Sequence, residues 1–270
     1  MSFGVPTQPD PFVRAGMQVW ENHFEKNSSI MSLSDQRATA GETYACFIVA
    51  GQSLSANCNG NPGDAAYVPT NSAKCDQLSI DDGGIYAAKE PMLGGETAGG
   101  GRSIFIRAAD KLISAGYRQR IILINVGIGG TSSAQWNNDL WPRIVIANER
   151  AKAKGISVSG VLWQQGETDN ALVVSQATYV SNMAGMIGKV RSKGLTAPWI
   201  LAKSTKWMNV DYPPVRAAID QIANGTDIFV GPDNDTLSGA NRVADQTHMS
   251  VPTGVDASAV LWKDAILAAL

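Results

Sequence analysis

Four short polar clusters, each just beyond an apolar run, carry the residue types that chemistry would need: "GQSLSAN" (51–57), "GIGGTSSAQW" (127–136), "QQGETD" (164–169) and "DQTHMS" (245–250). The first supplies a hydroxyl on Ser53 and the last an imidazole on His248, with Asp245 three residues before it. The chain has two histidines, and His23 lies in an N-terminal stretch of different character, so a base for Ser53 would have to be His248. One helical turn would set Asp245 and His248 on the same side. The carboxylate would then accept the far ring N–H, fix the tautomer and stabilise the imidazolium formed when Ser53 gives up its proton. The backbone N–H groups of Ser53 and Gly130, with the side-chain amide of Gln165, are the expected donors to a developing oxyanion. Gly129 and Gly130 lack a Cβ, which lets the backbone approach a substrate oxygen closely.

Each cluster has a plainer reading beside the chemical one. Ser53 is also an ordinary turn serine, and "GIGG" an ordinary strand-to-loop turn. Asp245 and His248 would serve equally as a structural pair or a helix cap. Glu167 and Asp169 suit the first turn of a helix, where acidic groups complement the dipole. Trp136 and Trp163 suit packing as well as a sugar platform. What separates the readings is the joint placement of the clusters after successive strands.

Those strands form a regular series. Apolar runs at 43–50, 120–126, 158–164, 197–203 and 227–231 have the near-continuous character of parallel strands buried on both faces. Helices are expected at 102–115, 141–154, 172–193, 213–224 and 253–269. Pro213 and Pro214 open one of them, while Gly116, Gly155, Gly194 and Gly225 follow four. The alternation predicts an α/β fold, a three-layer α/β/α sandwich around a five-stranded parallel sheet. In such sheets ligands bind at the carboxyl ends of the strands, where all four clusters would gather. Residues 43–270 are expected to form this domain and residues 1–42 an N-terminal arm or accessory element. The gap from 51 to 101 is long for such a fold and reads as a substrate-covering excursion. Within it, "GGETAGGGRS" (94–103) is a poor phosphate loop, since Arg102 and Ser103 stand where Lys and Ser or Thr are needed. It reads as a flexible approach to a helix.

Bulk properties remove several classes. A formal net charge of −2 without a basic cluster gives no footprint for nucleic acid or an anionic membrane. With 44% hydrophobic and 17% charged residues, a chain of 270 can bury a substantial core. The start "MSFGVPTQPDPFVRAG" lacks the pattern of a secretory signal, and no run approaches a membrane span. The expectation is a soluble protein of open localisation. Cys46, Cys58 and Cys75 are too few for a disulfide scaffold or zinc site. Cys46 reads as a buried hydrophobe, and a Cys58–Cys75 bridge stays open.

Taken in order, "GQSLSAN", "GGTSSAQW", "WQQGETD" and "DQTH" resemble the blocks of the SGNH (GDSL-like) hydrolases, and more closely their sialate O-acetylesterase and acetylxylan esterase-like branch. The resemblance spans about residues 43–269. It implies a flavodoxin-like SGNH fold and a carbohydrate O-acetylesterase working through an acyl-enzyme without metal or organic cofactor. Ser53 would be the nucleophile, His248 the base and Asp245 its acid partner, with Glu167 as the alternative acid. Gly130 and Gln165 would complete the oxyanion hole, Gln165 taking the place of an asparagine in other branches. Gln52, Asn57, Gly129, Thr131 and Trp136 are the positions expected to meet substrate. Leu54 and Ser55 depart from the usual asparagine and methionine, and Asn57 is the expected substitute for the hydrogen bond so lost. "GQSLS" also fails the GxSxG elbow of the α/β-hydrolases. Two rivals remain: an esterase for lipid or aryl esters, and a non-catalytic carbohydrate-binding or attachment module. The N-terminal arm would suit a homo-oligomer or a larger assembly such as a viral tail.

Overall fold

A computed structural model describes residues 41–270. The expected N-terminal arm, His23 included, lies outside the described residues except for Gly41 and Glu42. Glu42 is tied into the folded domain: its carboxylate pairs with Arg120 at 2.8 Å and also with Lys74.

The sheet is built outward from β1 (Tyr44–Gly51), whose apolar side chains from Ala45 to Ala50 are all buried. Alternate residues serve different cores. Cys46, Ile48 and Ala50 face one layer, and Ala45, Phe47 and Val49 face the other. At about 1.5–3 kcal/mol for each large apolar side chain buried, this strand is a firm anchor for whatever its carboxyl end presents. Its neighbours are β4 (Arg120–Asn125) and β5 (Gly160–Gln164), both parallel to it. Beyond β5 lie β6 (Trp199–Lys203) and β7 (Ile228–Asp233), also parallel.

The expected five-stranded sheet is corrected here, because two further strands extend the other edge. β2 (Cys75–Leu78) runs parallel to β4, and β3 (Ile85–Ala87) runs antiparallel to β2. The result is a mixed seven-stranded sheet in the order β3-β2-β4-β1-β5-β6-β7. Both additions come from the 51–101 excursion. They were hidden because "CDQL" has no apolar run. Asp76 is buried against Arg120 at 2.7 Å, and the Gln77 side chain donates to Ala87 O and accepts from Leu93 N–H.

The helices are α1 (Ile104–Ser114), α2 (Ser133–Gln135), α3 (Trp141–Ala153), α4 (Glu167–Ala171), α5 (Gln176–Ser192), α6 (Pro213–Ile222) and α7 (Thr253–Ala269). A π-helical turn, Trp136–Leu140, joins α2 to α3. Side chains of α3, α5 and α6, among them Ile144, Met183 and Val215, share one core with Trp163 and Trp199 of the sheet. Across the sheet, α1 and α7 close the second core, where the rings of Phe105 and Trp262 lie 5.1 Å apart. Helices therefore cover both faces. Among the described residues no helix is long and apolar enough to cross a membrane. All three cysteines are buried and free, so no Cys58–Cys75 bridge forms.

Candidate active site

Strand order reverses across β1: the chain first builds β2, β3 and β4 on one side, then β5, β6 and β7 on the other. The crevice at the carboxyl end of such a crossing is where open α/β sheets hold ligands. Gly51 closes β1 there at φ 128°, with its Cα so near β5 that a Cβ would stand 2.0 Å from Gln164 O. Glycine is required at this point. The next residues fold into a tight turn, Ser55 N–H and Ala56 N–H both donating to Gln52 O. Ser53 thus leaves a strand fixed on both faces, and its side chain meets a cavity of about 420 Å³.

The same cavity is lined by His248 and Asp245 from the segment after β7, and by Gly129 and Gly130 from the segment after β4. His248 Nδ1 lies 2.6 Å from Asp245 Oδ2. The expected helical turn is not what joins them. A small hairpin does so, with Arg242 bridged to Met249 and Val243 N–H donating to His248 O. Asp245 Oδ1 accepts the N–H groups of Thr247 and His248 across the bend, while Gln246 takes φ 56°. Burial disfavours the ionised Asp245, but the hydrogen bonds from the His248 ring and from two backbone N–H groups outweigh it and hold the carboxyl below its ordinary range. With Nδ1–H given to Asp245, Nε2 is the imidazole's free basic end. It has no hydrogen-bond partner among the described residues, and neither has Ser53 Oγ. In general, the hydrogen bond between a nucleophile and its base is often long without substrate and tightens only when substrate is in place.

Two backbone donors remain unspent. Neither Ser53 N–H nor Gly130 N–H donates to another group among the described residues. Gly130 sits at φ 66° in open space, with nothing within 4 Å of where a Cβ would be. Gly129 differs, because its N–H donates to Glu96 Oε2 at 2.6 Å.

Several expected contacts fall elsewhere. Gln165 is fully buried, and its amide nitrogen donates to Gln52 Oε1, Thr131 O and Asp169 Oδ2. Its hydrogens are committed to protein acceptors, so it braces the loops behind the cavity. Gln52 Oε1 also gathers the N–H groups of Gly166 and Thr168. Glu167 does not reach His248. Its Oε1 accepts from Ser204 at 2.7 Å, and its Oε2 is buried with no partner among the described residues. Burial first, with the nearby Asp235 adding to it, pushes the Glu167 carboxyl up to about 8.

Asn57 is spent on Met92 and Gly95 rather than substrate. Thr131 Oγ1 donates to Ile128 O and accepts from Trp136 Nε1. Trp136 itself is fully buried, edge-on to Trp163 at 5.3 Å. It is a core residue and cannot act as a sugar platform.

The sequence reading places a substrate-covering excursion at 51–101 but takes 94–103 within it for a flexible approach to a helix. The glycine-rich stretch 94–103 is not a bare approach to α1, since Thr97 bridges Asn57 and Arg102 bridges Asn59. It contributes Glu96, Ala98 and Gly99 to the cavity, beside Cys58 and Gly60, against which Gly99 packs. Burial pushes the Glu96 carboxyl above its ordinary range, partly offset by the Gly129 N–H and Arg143. The Cys58 thiol is pushed up to about 12 by burial and by Glu96, which keeps it protonated and a poor nucleophile near neutrality. The signal for this wall was Glu96 itself, a lone acid among glycines. A slightly larger groove of about 460 Å³ between β7 and α7 holds none of the four polar clusters. Among the described residues no group of three or more His, Cys, Asp and Glu side chains gathers as a metal site would require.

The profile of one protein family, described as "SASA: Carbohydrate esterase, sialic acid-specific acetylesterase", matches residues 43–257. No curated protein matches the chain at a significant level. Among solved structures, a protein from Arabidopsis thaliana is 21% identical, with a TM-score of 0.67, over 85% of this chain and 100% of that one. NanS is 18% identical, with a TM-score of 0.56, over 88% of this chain and 97% of that one. At these identities the two structures speak to the fold.

Proposed function

The chain belongs to the carbohydrate esterase, sialic acid-specific acetylesterase family, and from that membership we propose that it removes O-acetyl groups from a carbohydrate with Ser53 as its nucleophile. Ser53 Oγ attacks the acetyl carbonyl while His248 Nε2 takes the hydroxyl proton. The carbonyl oxygen becomes an oxyanion and draws on the N–H groups of Ser53 and Gly130. Collapse of the tetrahedral adduct breaks the bond to the sugar oxygen, which leaves with the proton held on His248. Water then adds to the acetyl-serine, again losing its proton to His248, and acetate departs as Ser53 recovers its own. Asp245 holds the ring in the required tautomer and balances the charge that forms on it. Gln165 and Gln52 act by fixing the loops that carry these groups.

The observation that carries this reading is the meeting of Ser53, the 2.6 Å His248–Asp245 pair and the Gly130 backbone on one cavity. Acetate release from acetylated polysaccharides by wild type and Ser53→Ala tests it. The variant should lose about 10³-fold or more in turnover, and undiminished release would remove Ser53 from the role. Long-chain nitrophenyl esters run beside the polysaccharide test the substrate class, since faster cleavage of the long chains would favour a lipid or aryl ester.

A further inference from the structure

We propose that this cavity selects acetyl esters of uncharged sugars over those of sialic acids and other sugar acids, and that Glu96 sets the preference by contacting substrate. The proposal deepens the esterase reading above and rests on it, and it sets this chain apart from the sialic acid specificity by which its family is described.

A sugar acid brings a carboxylate that must find a cation or a set of free N–H donors to offset its lost hydration. Among the described residues lining the cavity there is no lysine and no arginine. The charged groups that do line it are two carboxylates, Glu96 and Asp245, beside His248. The nearby cations are committed behind the wall. Arg143 and Arg242 are buried, Arg143 giving Nε to Val126 O and Nη2 to Gly94 O, and Arg242 giving its guanidinium to Leu237 O, Thr247 O and Asn234 O, while Arg102 donates to Asp64 O. Gly129 also lines the cavity, and its N–H is already given to Glu96 at 2.6 Å.

Glu96 is also held as an acceptor should be. Gly129 fixes Oε2, while Oε1 has no hydrogen-bond partner among the described residues. A neutral sugar offers hydroxyl donors to such an oxygen. A second carboxylate offers only repulsion, which is strong in a partly enclosed site and weakens with added salt.

The test compares acetate release, measured as acetate, from O-acetylated N-acetylneuraminic acid and from its carboxyl methyl ester, which removes the charge and keeps the sugar. O-acetylated xylo-oligosaccharide serves as the neutral reference. Wild type should favour the methyl ester over the free acid by about tenfold in kcat/KM, as one like-charge encounter in a partly exposed site implies. The preference should shrink in high salt and largely vanish in Glu96→Gln, whose amide oxygen still accepts from Gly129. Equal or faster cleavage of the free acid by wild type, with the neutral reference active, overturns the proposal and leaves the esterase reading standing. A methyl-ester preference that persists unchanged in a folded Glu96→Gln removes Glu96 from the role. Absence of release from all three esters defeats the underlying esterase reading instead.

Discussion

Asp245 and Glu167 are the two acids the sequence offered as partners of His248, and their surroundings differ. Asp245 is partly exposed and accepts three hydrogen bonds, one from the His248 ring, so its charge is maintained. Glu167 is enclosed and offered two donors, Ser204 and its own backbone N–H. Replacing Asp245 with Asn should therefore cost about 10²–10⁴-fold in turnover, and Glu167→Gln much less; the reverse order in matched kinetics would make Glu167 the acid partner. The Glu167 carboxyl also predicts a pH effect on stability. Its proton is held more tightly in the folded chain, at about 8 against an ordinary 4.5. The stabilisation from that proton is whole below the ordinary value, drains as pH rises through this window, and is gone above it. Melting temperatures from pH 5 to pH 8 should fall less steeply for Glu167→Gln than for wild type, with the variant the more stable at pH 8. Parallel slopes would contradict the buried, protonated state.

At the scale of elements, the site depends on how two segments leave the sheet. Gly51 turns the chain off β1 against the backbone of Gln164, whereas Gly130 turns in open space. Gly51→Ala should thus cost about 3 kcal/mol or more from overlap and strain together. Gly130→Ala carries backbone strain alone and should cost about 1 kcal/mol. Urea unfolding of the two variants measures the difference, and equal losses would mean that β5 yields easily at this contact. The His248 segment shows a limit of pattern reading. A spacing of three suggests a helical turn, yet a hairpin with Gln246 at φ 56° achieves the same pairing. Spacing reports that two side chains can meet without fixing the backbone that brings them together. The polar strand β2 escaped notice for a related reason, since Asp76 and Gln77 are buried by pairing rather than by being apolar.

For the molecule as a whole, the central strands were legible because each is covered on both faces and must be apolar throughout. The gathering of clusters at one edge followed from that. What lay outside the signal was set by long-range partners. Trp136 could be read as platform or core until its ring was seen buried edge-on against Trp163. Gln165 could be read as a donor until its three acceptors were seen. Glu96 stood out in the sequence as a lone acid among glycines, but its place at the cavity followed only from that stretch folding across the mouth of the sheet.

One tie across that mouth has a kinetic corollary. Gly60 N–H donates to Met249 O, and Met249 N–H donates to the Asn59 side chain, so the loop after Ser53 and the loop after His248 are stitched directly. Opening either loop must unzip both, and in heavy water the amides of Gly60 and Met249 should take up deuterium at a common rate. Widely different rates would show that the Ser53 and His248 loops breathe independently.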